Sequence, residues 1–386
     1  MIEDRPSPGP HIALNAHLLS GEDSYRSAGI HGYLFNTLAH LPEAAPDLRF
    51  TVFTGSGTLP ENVHYPVIRS RLPTQRPLVR IAWEQIVGPF ALDRARPDLL
   101  HGMAFALPLA WAGPSVITIF DLSFIRYPGR LNATRRLYLR AIVGASARRA
   151  ERIIAISEST RQEIVALLGI PFEKVDIAYP GVNPDYCPLD DEEVDTFRRQ
   201  QGLPDRFILY LGTLEPRKNL TTLIRAYAAL PQRPEVKLVL AGGKGWGYEP
   251  IFTLIEELGL QDDVITPGYQ PGNSLPMWYN SPELFVYPSV YEGFGMPLVE
   301  AMACGTPVIA ANTTSLPEAV GNAGLLVPAG DPAAWTEAMS GLLTNSSTRA
   351  EWSEKGRLHA ATFAWAETAN RTVDTYRRVL KLNRPS

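Results

Sequence analysis

The chain has 386 residues, of which 45% are hydrophobic and 20% are charged, and its formal net charge is −4. This length exceeds one ordinary hydrophobic core, so we expect two domains. The composition is typical of a soluble globular protein. No stretch approaches the roughly 20 apolar residues that a membrane-spanning helix needs. The sequence therefore predicts no transmembrane segment.

Cysteine content and the first residues bear on the compartment. Cys187 and Cys304 are too few to form a disulfide framework. Cys304 falls within an apolar helical pattern, which predicts that it is buried. The opening segment, MIEDRPSPGP, is polar and proline-rich and lacks the apolar core of a signal peptide. We therefore expect a cytoplasmic protein.

Charge is distributed unevenly along the chain. Residues 1–180 hold 19 Lys and Arg against 16 Asp and Glu, and the remainder holds 17 against 24. A predicted helix near the middle of the chain carries Arg130, Arg135, Arg136, Arg140, Arg148, Arg149 and Arg152. Such a helix can lie on an anionic membrane, here the inner face, although a solvated helix face is the commoner explanation. No nucleic-acid-binding module accompanies the charge, so we expect no nucleic-acid partner.

Short apolar runs alternate with helical patterns in the first half of the chain. The predicted strands are HIALNA, RFTVFT, DLLHG, SVITIF, RIIAIS and KVDIAY. The predicted helices between them cover 27–41, 77–92, 132–150 and 158–169. Repeated alternation of this kind indicates a parallel sheet with helices on both faces.

The same alternation resumes in the second half. The segment PGVNPDYCPLDDEEVD is interpreted as a linker because it clusters proline, asparagine and acidic residues. The strands RFILYLG, VKLVLAGG, DVITPG, LFVYPS and GLLVPAG follow, with helices over 219–230, 249–259 and 273–280. We therefore predict an α/β protein with two Rossmann-like domains, residues 1–185 and 186–365, facing each other across a cleft. The last helical stretch, about 366–381, can pack on either domain.

The segment YEGFGMPLVEAMACGTPVIA combines a glycine bend with a short apolar helix. Gly293 and Gly295 allow a tight bend and a close approach of the backbone to a ligand. Pro297 suits the first helical position, and Leu298 begins the predicted helix. Gly305 stands where a left-handed C-terminal cap belongs. A strand, residues 307–310, follows, so the predicted unit is loop, helix and strand.

Two carboxylates flank this bend. A helix N-terminus behind a glycine loop is a ready phosphate site, and carboxylates would repel a phosphate. Glu292 and Glu300 are therefore better placed to accept hydrogen bonds from hydroxyls on either side of it. Hydroxyls that flank a diphosphate describe a nucleotide sugar. The alternative is that Glu300 complements the helix dipole and Glu292 is a solvated loop residue.

The segment LYLGTLEPRKNLTTLI supplies positive charge at a second turn from a strand to a helix. Gly212 ends the predicted strand, and Arg217 and Lys218 precede a helix whose N-cap is predicted to be Asn219. Two adjacent cations at such a turn suit a diphosphate, since Arg presents a bidentate group and Lys a point charge. The alternative is a pair of surface cations.

Other patterns carry less information. LAGGKGWG lacks the Ser or Thr that a phosphate-binding loop places after its lysine. SAGIHGY is interpreted as a glycine loop in which Gly29 and Gly32 allow backbone to approach a phosphate. His101 ends a strand and either faces the cleft or is a buried structural histidine. Neither an H-E-x-x-H spacing nor an Asp-x-Asp pair is present, so we expect no protein-bound metal.

Together these motifs resemble those of a known family. Glu292 and Glu300 form an E-x7-E pattern within SVYEGFGMPLVEAMACGTPVIAANTTSLPEAVG, and GTLEPRKN and AYPGVNPDYCP match the same family. Over nearly its whole length the chain is similar to the retaining glycosyltransferases of the GT-B fold, family 4. This large bacterial group contains many mannosyltransferases.

The resemblance implies a role for each matching position. Arg217 and Lys218 would bind the donor diphosphate and stabilise the leaving group, Glu292 would contact hydroxyls of the donor sugar, and Glu300 would bind the ribose. The other donor-binding positions would be Gly29, Gly212, Phe294, Gly295, Met296 and Leu298. No cofactor is implied besides the donor, and residues after about 366 would return to the first domain.

The chain departs from the family pattern at one position. Many relatives carry His-Asp after the strand VITIF, where this chain has Phe120 and Asp121. Phenylalanine cannot donate the hydrogen bond of that histidine, which puts the identity of the sugar in question. GIHGY also departs from the commoner G-I-G-R-Y. We retain His101, Phe120 and Asp121 as candidates for the acceptor or sugar side.

We therefore expect a hexosyltransferase that retains anomeric configuration and needs no metal. The leading donor is GDP-mannose, by resemblance alone, and the acceptor is a hydroxyl of a growing surface glycan or a lipid-linked oligosaccharide. Two alternatives remain open: a nucleotide-sugar epimerase of similar fold, and a non-catalytic protein that binds nucleotide sugars.

Overall fold

The computed structural model describes residues 9–19, 28–127, 129 and 133–382. The chain divides into two compact units. The first unit is discontinuous and comprises residues 1–181 together with 365–386, and the second comprises residues 182–364. Each unit contains one parallel β-sheet, as the alternation of strands and helices predicts.

Seven parallel strands form the sheet of the first unit. They are β1 His11–Asn15, β2 Arg49–Thr54, β3 Val67–Arg69, β4 Leu99–Gly102, β5 Ser115–Ile119, β6 Arg152–Ala155 and β7 Val175–Ile177. The order across the sheet is β3-β2-β1-β4-β5-β6-β7. Every residue of β4 and β5 is buried, because central strands of a parallel sheet are covered on both faces.

The helices of the first unit connect these strands. They are α1 Ala28–Ala44, α2 Pro77–Ala82, α3 Gly88–Ala95, α4 Ser123–Arg126, α5 Ala133–Arg149, α6 Glu158–Leu168 and, from the end of the chain, α15 Trp365–Leu380. A π-helical turn, Trp83–Val87, joins α2 to α3, so residues 77–95 form one helical segment. Ser157 begins α6 as a side-chain cap, with its Oγ accepting a hydrogen bond from the Thr160 amide at 3.0 Å.

The C-terminal helix α15 is an integral part of the first unit. It packs against α1, and Arg377 forms an ion pair with Asp47 at 2.7 Å. The Thr368 hydroxyl donates to the Tyr179 carbonyl at 2.6 Å, and Tyr376 is fully buried. The last 16 helical residues therefore complete a core that the first 181 residues begin.

Six parallel strands form the sheet of the second unit. They are β8 Phe207–Leu211, β9 Lys237–Ala241, β10 Val264–Gly268, β11 Leu284–Tyr287, β12 Val308–Ala311 and β13 Leu325–Val327, in the order β10-β9-β8-β11-β12-β13. The helices are α7 Asp191–Gln201, α8 Leu220–Ala228, α9 Glu249–Glu257, α10 Leu275–Asn280, α11 Met296–Ala303, α12 Leu316–Val320, α13 Pro332–Thr344 and α14 Ser346–Ala360.

Three local predictions are wrong. Residues 191–195 belong to α7 rather than to a linker, because three acidic residues in the first turn favour a helix N-terminus. SAGIHGY is not a glycine loop throughout, since Gly29 and Gly32 lie within α1. Helix α11 begins at Met296, so Pro297 occupies its second position. The predicted left-handed conformation of Gly305 is confirmed, with φ of 82°.

The second sheet reverses its strand order between β8 and β11. Strands that follow β8 in the chain extend the sheet first towards β10 and then, from β11, in the other direction towards β13. In open α/β sheets, ligands bind outside the carboxyl ends of the strands at such a reversal. Both motifs singled out by the sequence follow these two strands.

No helix within the described part of the chain combines the length and apolar character needed to cross a bilayer. The arginines predicted to share one basic helix do not all do so. Arg130 lies outside the described residues, and Arg152 lies in β6, where it pairs with Asp176.

Candidate active site

The turn after β8 places two cations at the carboxyl edge of the second sheet. Arg217 and Lys218 lie in a 3-10 turn, Pro216–Lys218, that ends at Asn219 in the left-handed region with φ of 55°. Asn219 is the N-cap residue of α8, as predicted, but its side chain makes no capping hydrogen bond to that helix. Its Nδ2 instead donates to the carbonyls of Pro288 (3.2 Å) and Ala329 (2.7 Å), which joins the turn to neighbouring segments.

Glu292, in the loop after β11, forms ion pairs with both cations. Its Oε1 pairs with Lys218 Nζ at 2.5 Å, and its Oε2 lies 3.0 Å from Arg217 Nη1. Oε1 also accepts hydrogen bonds from the Ser289 hydroxyl at 2.7 Å and the Tyr287 hydroxyl at 3.1 Å. Four side chains thus contact the carboxylate, which connects the turn after β8 to the end of β11.

The protonation states of this cluster follow from burial and charge. Burial alone would raise the pKa of Glu292, but the charges of Arg217 and Lys218 outweigh it and hold this pKa at about 2. Burial, together with the neighbouring Arg217, lowers the pKa of Lys218 to about 8. Lys218 and Glu292 are therefore both charged at neutral pH, and only Lys218 titrates near it.

A second carboxylate balances the cluster. Glu215 is buried and forms an ion pair with the Arg217 guanidinium, so two cations face two carboxylates. Lys218 Nζ uses two of its three donor sites, on Glu292 and on the Tyr287 hydroxyl at 2.6 Å. The cluster is neutral as a whole, and both cations have a fixed position.

Hydroxyl side chains after β12 hold the glutamate loop in place. The Glu292 amide donates to Thr314 Oγ1 at 3.2 Å. Ser315 Oγ lies 3.0 Å from the Glu292 carbonyl and 2.9 Å from the Phe294 carbonyl, and Thr313 Oγ1 donates to the Ser289 carbonyl at 3.0 Å. These hydrogen bonds connect the glutamate loop to the segment after β12.

The glycine bend leads into helix α11. Gly295 is its N-cap with φ of 115°, and a Cβ there would lie 2.8 Å from Leu316 Cδ2, so only glycine fits. The side chains of Phe294 and Leu298 are buried in the core of this unit, with Phe294 edge-on to Phe363. Phe294, Gly295 and Leu298 therefore contribute to packing, and the Leu298 amide already donates to the Gly295 carbonyl at 3.0 Å. Met296, between them, is half-buried.

Glu300, one turn into α11, has a different environment from Glu292. Its Oε2 accepts a hydrogen bond from the fully buried Tyr279 hydroxyl at 2.8 Å, and Tyr186 is hydrogen-bonded to the same carboxylate. Burial raises the pKa of Glu300 to about 7, against the opposing effect of these two hydrogen bonds. No Lys or Arg among the described residues forms an ion pair with Glu300, and its protonation changes near neutral pH.

Gly212 follows β8 and lies against the next loop. A Cβ on Gly242, which follows β9, would come within 1.9 Å of the Gly212 carbonyl oxygen. The two loops can therefore approach only because Gly242 lacks a side chain. This contact holds the start of the Arg217 turn against the carboxyl end of β9.

The remaining candidates lie in the first unit. His101 is fully occupied within the protein: its Nδ1 lies 2.6 Å from the Tyr376 hydroxyl and its Nε2 2.8 Å from Thr118 Oγ1. Burial lowers the pKa of His101 to about 3, so the ring is neutral. These contacts fit the alternative of a buried structural histidine, here one that joins α15 to the sheet.

Phe120, Asp121 and Gly29 differ from one another in exposure. The Phe120 ring is buried and packs edge-on against Tyr33, with 5.1 Å between ring centroids. Asp121 Oδ1 accepts a hydrogen bond from the Ser123 amide at 2.8 Å, which begins α4. Gly29 is exposed in the first turn of α1, and a Cβ there would meet no atom within 4 Å. Among the described residues of the first unit, none approaches this position closely enough to require glycine.

Sequence reasoning missed several residues that organise the site. They are Glu215, Tyr279, Tyr287, Ser289, Thr314 and Ser315. Their positions relative to the strands could have indicated them, because Tyr287 ends β11 and Thr314 and Ser315 follow β12 at the same sheet edge. In the part of the chain that the structure describes, no group of three or more His, Cys, Asp or Glu side chains is arranged to hold a metal ion.

Two family models match the chain, one on each side of residue 190. The model described as Glycosyltransferase Family 4 matches residues 28–186, and the model described as Glycosyl transferases group 1 matches residues 193–359. The chain belongs to glycosyltransferase family 4. The two sheets of this glycosyltransferase have the parallel, Rossmann-like form of the GT-B fold, as the sequence predicts.

Named relatives include two mannosyltransferases of Escherichia coli. The glycosyltransferase is 33% identical to O-antigen chain mannosyltransferase B over 291 residues, which are 75% of this chain and 76% of the relative. It is 35% identical over 262 residues to the serotype-specific mannosyltransferase WbdA, covering 66% of this chain and 32% of that protein. The chain thus spans about a third of WbdA's length.

Solved structures share the fold. Sucrose-phosphate synthase from Thermosynechococcus elongatus superposes with a TM-score of 0.74 at 23% identity, covering 96% of this chain and 99% of that chain. WaaG, a glycosyltransferase involved in lipopolysaccharide biosynthesis, superposes with a TM-score of 0.72 at 19% identity, covering 94% and 99%.

Proposed function

We propose that this glycosyltransferase moves mannose from GDP-mannose to a hydroxyl of a growing surface glycan or glycolipid, with retention of anomeric configuration. The observation that carries the proposal is the cluster of Arg217, Lys218 and Glu292 at the reversal between β8 and β11. Relatives named as mannosyltransferases favour mannose as the transferred sugar.

The proposed step exchanges one bond at the anomeric carbon. The bond from C1 to the diphosphate oxygen breaks, and its electron pair stays on the phosphate. The acceptor oxygen forms a new bond to C1 on the same face, and its proton passes to the departing phosphate oxygen. No carboxylate serves as nucleophile, since both oxygens of Glu292 are engaged by Arg217 and Lys218.

Electrostatic stabilisation of the leaving group is the main contribution of the protein. Negative charge grows on the diphosphate as C1 separates from it, and fixed cations aimed at that charge lower the barrier without reorganising. Lys218 retains one donor beyond its bonds to Glu292 and Tyr287. Arg217 and Lys218 would hold the diphosphate together with the N-terminus of α11.

The two glutamates divide the rest of the donor between them. Glu292 lies beside the cations, so it would contact the sugar close to the reacting carbon while it positions Arg217 and Lys218. Glu300 lies one turn into α11 and would accept hydrogen bonds from the ribose hydroxyls. The donor diphosphate needs no metal in this proposal, because the cations take that role, and no cofactor takes part.

The acceptor and the place of reaction complete the proposal. A lipid-linked oligosaccharide would bring the enzyme to the inner face of the membrane as a peripheral protein. The acceptor would bind to the first unit. Phe120 and Asp121 remain candidates for that side, whereas both ring nitrogens of His101 are already bonded.

A donor screen tests this function. Thermal stability of the purified chain would be measured with GDP-, UDP-, dTDP- and ADP-sugars, because a ligand that binds the folded state raises the unfolding midpoint. The stabilising donor would then be incubated with lipid-linked glycan acceptors, and product configuration would be read by proton NMR. We expect GDP-mannose to stabilise the chain most and the product to be an α-mannoside.

The outcomes separate the alternatives. Conversion of the donor into another nucleotide sugar without an acceptor would favour an epimerase. Binding without turnover on any acceptor would favour a non-catalytic binding protein. An inverted product, or a preference for a donor other than GDP-mannose, would contradict the mechanism or the donor respectively.

A further inference from the structure

Thr314 has an unusual backbone conformation in the segment that follows β12. Its φ is 46°, in the left-handed region, where the Cβ of an L-residue comes too close to the next carbonyl oxygen. Five non-glycine residues in the described part of the chain have a positive φ, and Thr314 is the one with a β-branched side chain. Branching at Cβ makes this conformation an outlier, so the backbone at Thr314 is strained.

The strain belongs to a tight reversal between β12 and α12. The Leu316 amide donates to the Thr313 carbonyl at 3.1 Å, which closes a four-residue turn with Thr314 in its second position. Turns with a positive φ at that position favour glycine, asparagine or aspartate. Glycine would adopt this backbone without strain, so any advantage of threonine lies in its side chain.

The Thr314 hydroxyl holds one end of a peptide unit in the glutamate loop. Thr314 Oγ1 accepts a hydrogen bond from the Glu292 amide at 3.2 Å. The carbonyl of the same peptide unit, on Tyr291, accepts a hydrogen bond from Arg217 Nη1 at 2.9 Å. One peptide plane therefore connects the threonine hydroxyl to the guanidinium. Hydrogen bonds linked in this way polarise and strengthen one another.

Arg217 depends on this peptide unit in two ways. Its Nη1 contacts the Tyr291 carbonyl and also lies 3.0 Å from Glu292 Oε2. Rotation of the Tyr291–Glu292 peptide would remove the first acceptor and displace the residue that carries the second. The orientation of the guanidinium is thus coupled to the bond between Thr314 and the Glu292 amide.

The neighbouring hydroxyls do not duplicate this contact. Those of Thr313 and Ser315 lie against carbonyl oxygens of the glutamate loop, whereas Thr314 accepts a hydrogen bond from a backbone amide. If Thr314 lost its hydroxyl, Thr313 and Ser315 would still attach the two segments to each other. The Glu292 amide would lose this partner, so the effect would concentrate on one peptide unit.

We propose that Thr314 is a positioning residue for sugar transfer. Its hydroxyl fixes the Tyr291–Glu292 peptide and, through that peptide, the Arg217 guanidinium and the Glu292 carboxylate. The strained backbone persists because it delivers this hydroxyl, and strain of this kind gathers at functional sites. The inference rests on the proposed use of Arg217 and Glu292 in transfer, and it assigns Thr314 no contact with the substrate.

The alternative is that Thr314 serves the stability of the turn alone. The two roles predict different responses to glycine, which relieves left-handed strain but has no hydroxyl. In a purely structural role, the folded glycine variant would transfer sugar at the rate of the wild type. In a positioning role, the variant would keep its stability and lose turnover, as expected where strain is retained for function.

Three substitutions at Thr314 separate these roles. For Thr314→Gly we expect an unfolding midpoint at or above that of the wild type, kcat lower by about tenfold, as for loss of one hydrogen bond, and a smaller change in KM for the donor. Thr314→Val keeps the branched shape and the strain, so kcat should fall equally without a rise in midpoint. Thr314→Ser restores an oxygen at this place and should recover most of kcat.

The matched control is Arg96→Gly. Arg96 has the same φ of 46° and is exposed at the C-terminal cap of α3 in the other unit. This substitution therefore relieves left-handed strain away from the candidate site. Its midpoint should lie at or above that of the wild type, and its turnover should be unchanged.

Hydrogen exchange reports the contact without requiring transfer. Mass spectrometry of the segment that contains Glu292 should show faster amide exchange in Thr314→Gly and Thr314→Val than in the wild type, because the Glu292 amide has lost its acceptor. Exchange in Thr314→Ser should match the wild type.

Two outcomes would overturn the inference: wild-type kcat in Thr314→Gly, or exchange of the Glu292 segment that none of the substitutions alters. A loss of kcat in Arg96→Gly equal to that in Thr314→Gly would also overturn it, because relief of strain anywhere would then lower turnover. Absence of transfer by the wild type would instead contradict the proposed function, and the exchange measurement would still decide whether Thr314 holds the peptide.

Discussion

Lys218 and Glu292 form an ion pair that joins the turn after β8 to the loop after β11. Their 2.5 Å contact, together with the 3.0 Å contact from Arg217 to the other carboxylate oxygen, spans the point where the sheet reverses its order. The carboxylate thus positions both cations before any donor arrives. This dual position, next to the cations and next to the proposed sugar, distinguishes Glu292 from Glu300.

Replacing Glu292 by glutamine should lower turnover by about 10²-fold. The amide is neutral and cannot pair with both Arg217 and Lys218, so the cations lose their fixed positions. Binding of the free nucleoside diphosphate, measured by calorimetry, should stay nearly intact because both positive charges remain. Initial rates with saturating donor would measure the effect on turnover.

The chain offers a matched control for this substitution. Glu283 pairs with Arg206, with Nη2 3.2 Å from Oε2, and these residues precede β11 and β8 at the opposite edge of the same sheet. Glu283→Gln should leave transfer unchanged. Equal losses in the two variants would mean that Glu292 acts through the stability of the sheet.

Activity should fall as pH rises above about 8. Burial lowers the pKa of Lys218 to about 8, so its positive charge is present below that pH and lost above it. We expect kcat/KM, which reports the free enzyme, to decline there. Lys218→Arg keeps the charge and should move the decline to higher pH, whereas Lys218→Ala should lose about 10²-fold in turnover at every pH. An unchanged alkaline limb in Lys218→Arg would exclude Lys218 as its source.

Removal of one hydroxyl should shift the pH dependence of donor binding. The Tyr279 hydroxyl lowers the pKa of Glu300, which burial raises to about 7, so Tyr279→Phe should raise that pKa further. If the ionised carboxylate accepts hydrogen bonds from the ribose hydroxyls, affinity for the nucleoside diphosphate decreases as pH falls. In Tyr279→Phe this decrease should occur at a higher pH than in the wild type. Calorimetric titrations between about pH 6 and 9 would show the shift.

Two further variants serve as controls for this measurement. Tyr227→Phe removes a buried hydroxyl that donates to the Val236 carbonyl at 2.9 Å in the same unit, and its midpoint should equal that of the wild type. Glu300→Ala should weaken binding at all pH values and raise KM more than it lowers kcat. Identical midpoints for Tyr279→Phe and wild type would contradict the role of Glu300.

Strand and helix positions followed from the sequence because hydrophobic runs of strand length alternate with helical periods. The two segments of the candidate site were also predictable, since glycine, proline and charge follow β8 and β11 directly. What the sequence could not show is contact between residues far apart in the chain. Tyr279 meets Glu300, and Thr314 meets Glu292, only because the sheet brings their loops to one edge. Nor does a three-residue strand such as β3 have a detectable period.

His101 illustrates the same limit in the first unit. Its place at the end of β4 suggested either a ligand contact or a structural role, and the residue that decides between them, Tyr376, lies 275 positions away. His101→Leu should cost about 1–3 kcal/mol of unfolding free energy, because the Tyr376 and Thr118 hydroxyls lose buried partners. Denaturant unfolding would measure this, and turnover of the folded variant should be unchanged. Lost turnover at full stability would instead place His101 at the acceptor.

Transfer should continue in excess EDTA. The proposed mechanism assigns neutralisation of the diphosphate to Arg217 and Lys218, so chelation of divalent ions should leave the rate unchanged. The assay would compare initial rates with and without EDTA, and then after addition of magnesium or manganese. Complete loss that either metal restores would contradict the proposed role of the two cations.

Because the first unit is discontinuous in sequence, the order in which the two units fold during synthesis can differ from their order in the chain. Domains generally fold as units while the chain is synthesised, but the core of the first unit needs α15, which buries Tyr376 against His101. Residues 182–364 form the second unit without interruption, so they can complete their fold first although they are translated later. The core of the first unit is complete only once α15 has been translated. A nascent chain released before residue 365 would contain all of the second unit but would lack α15 of the first.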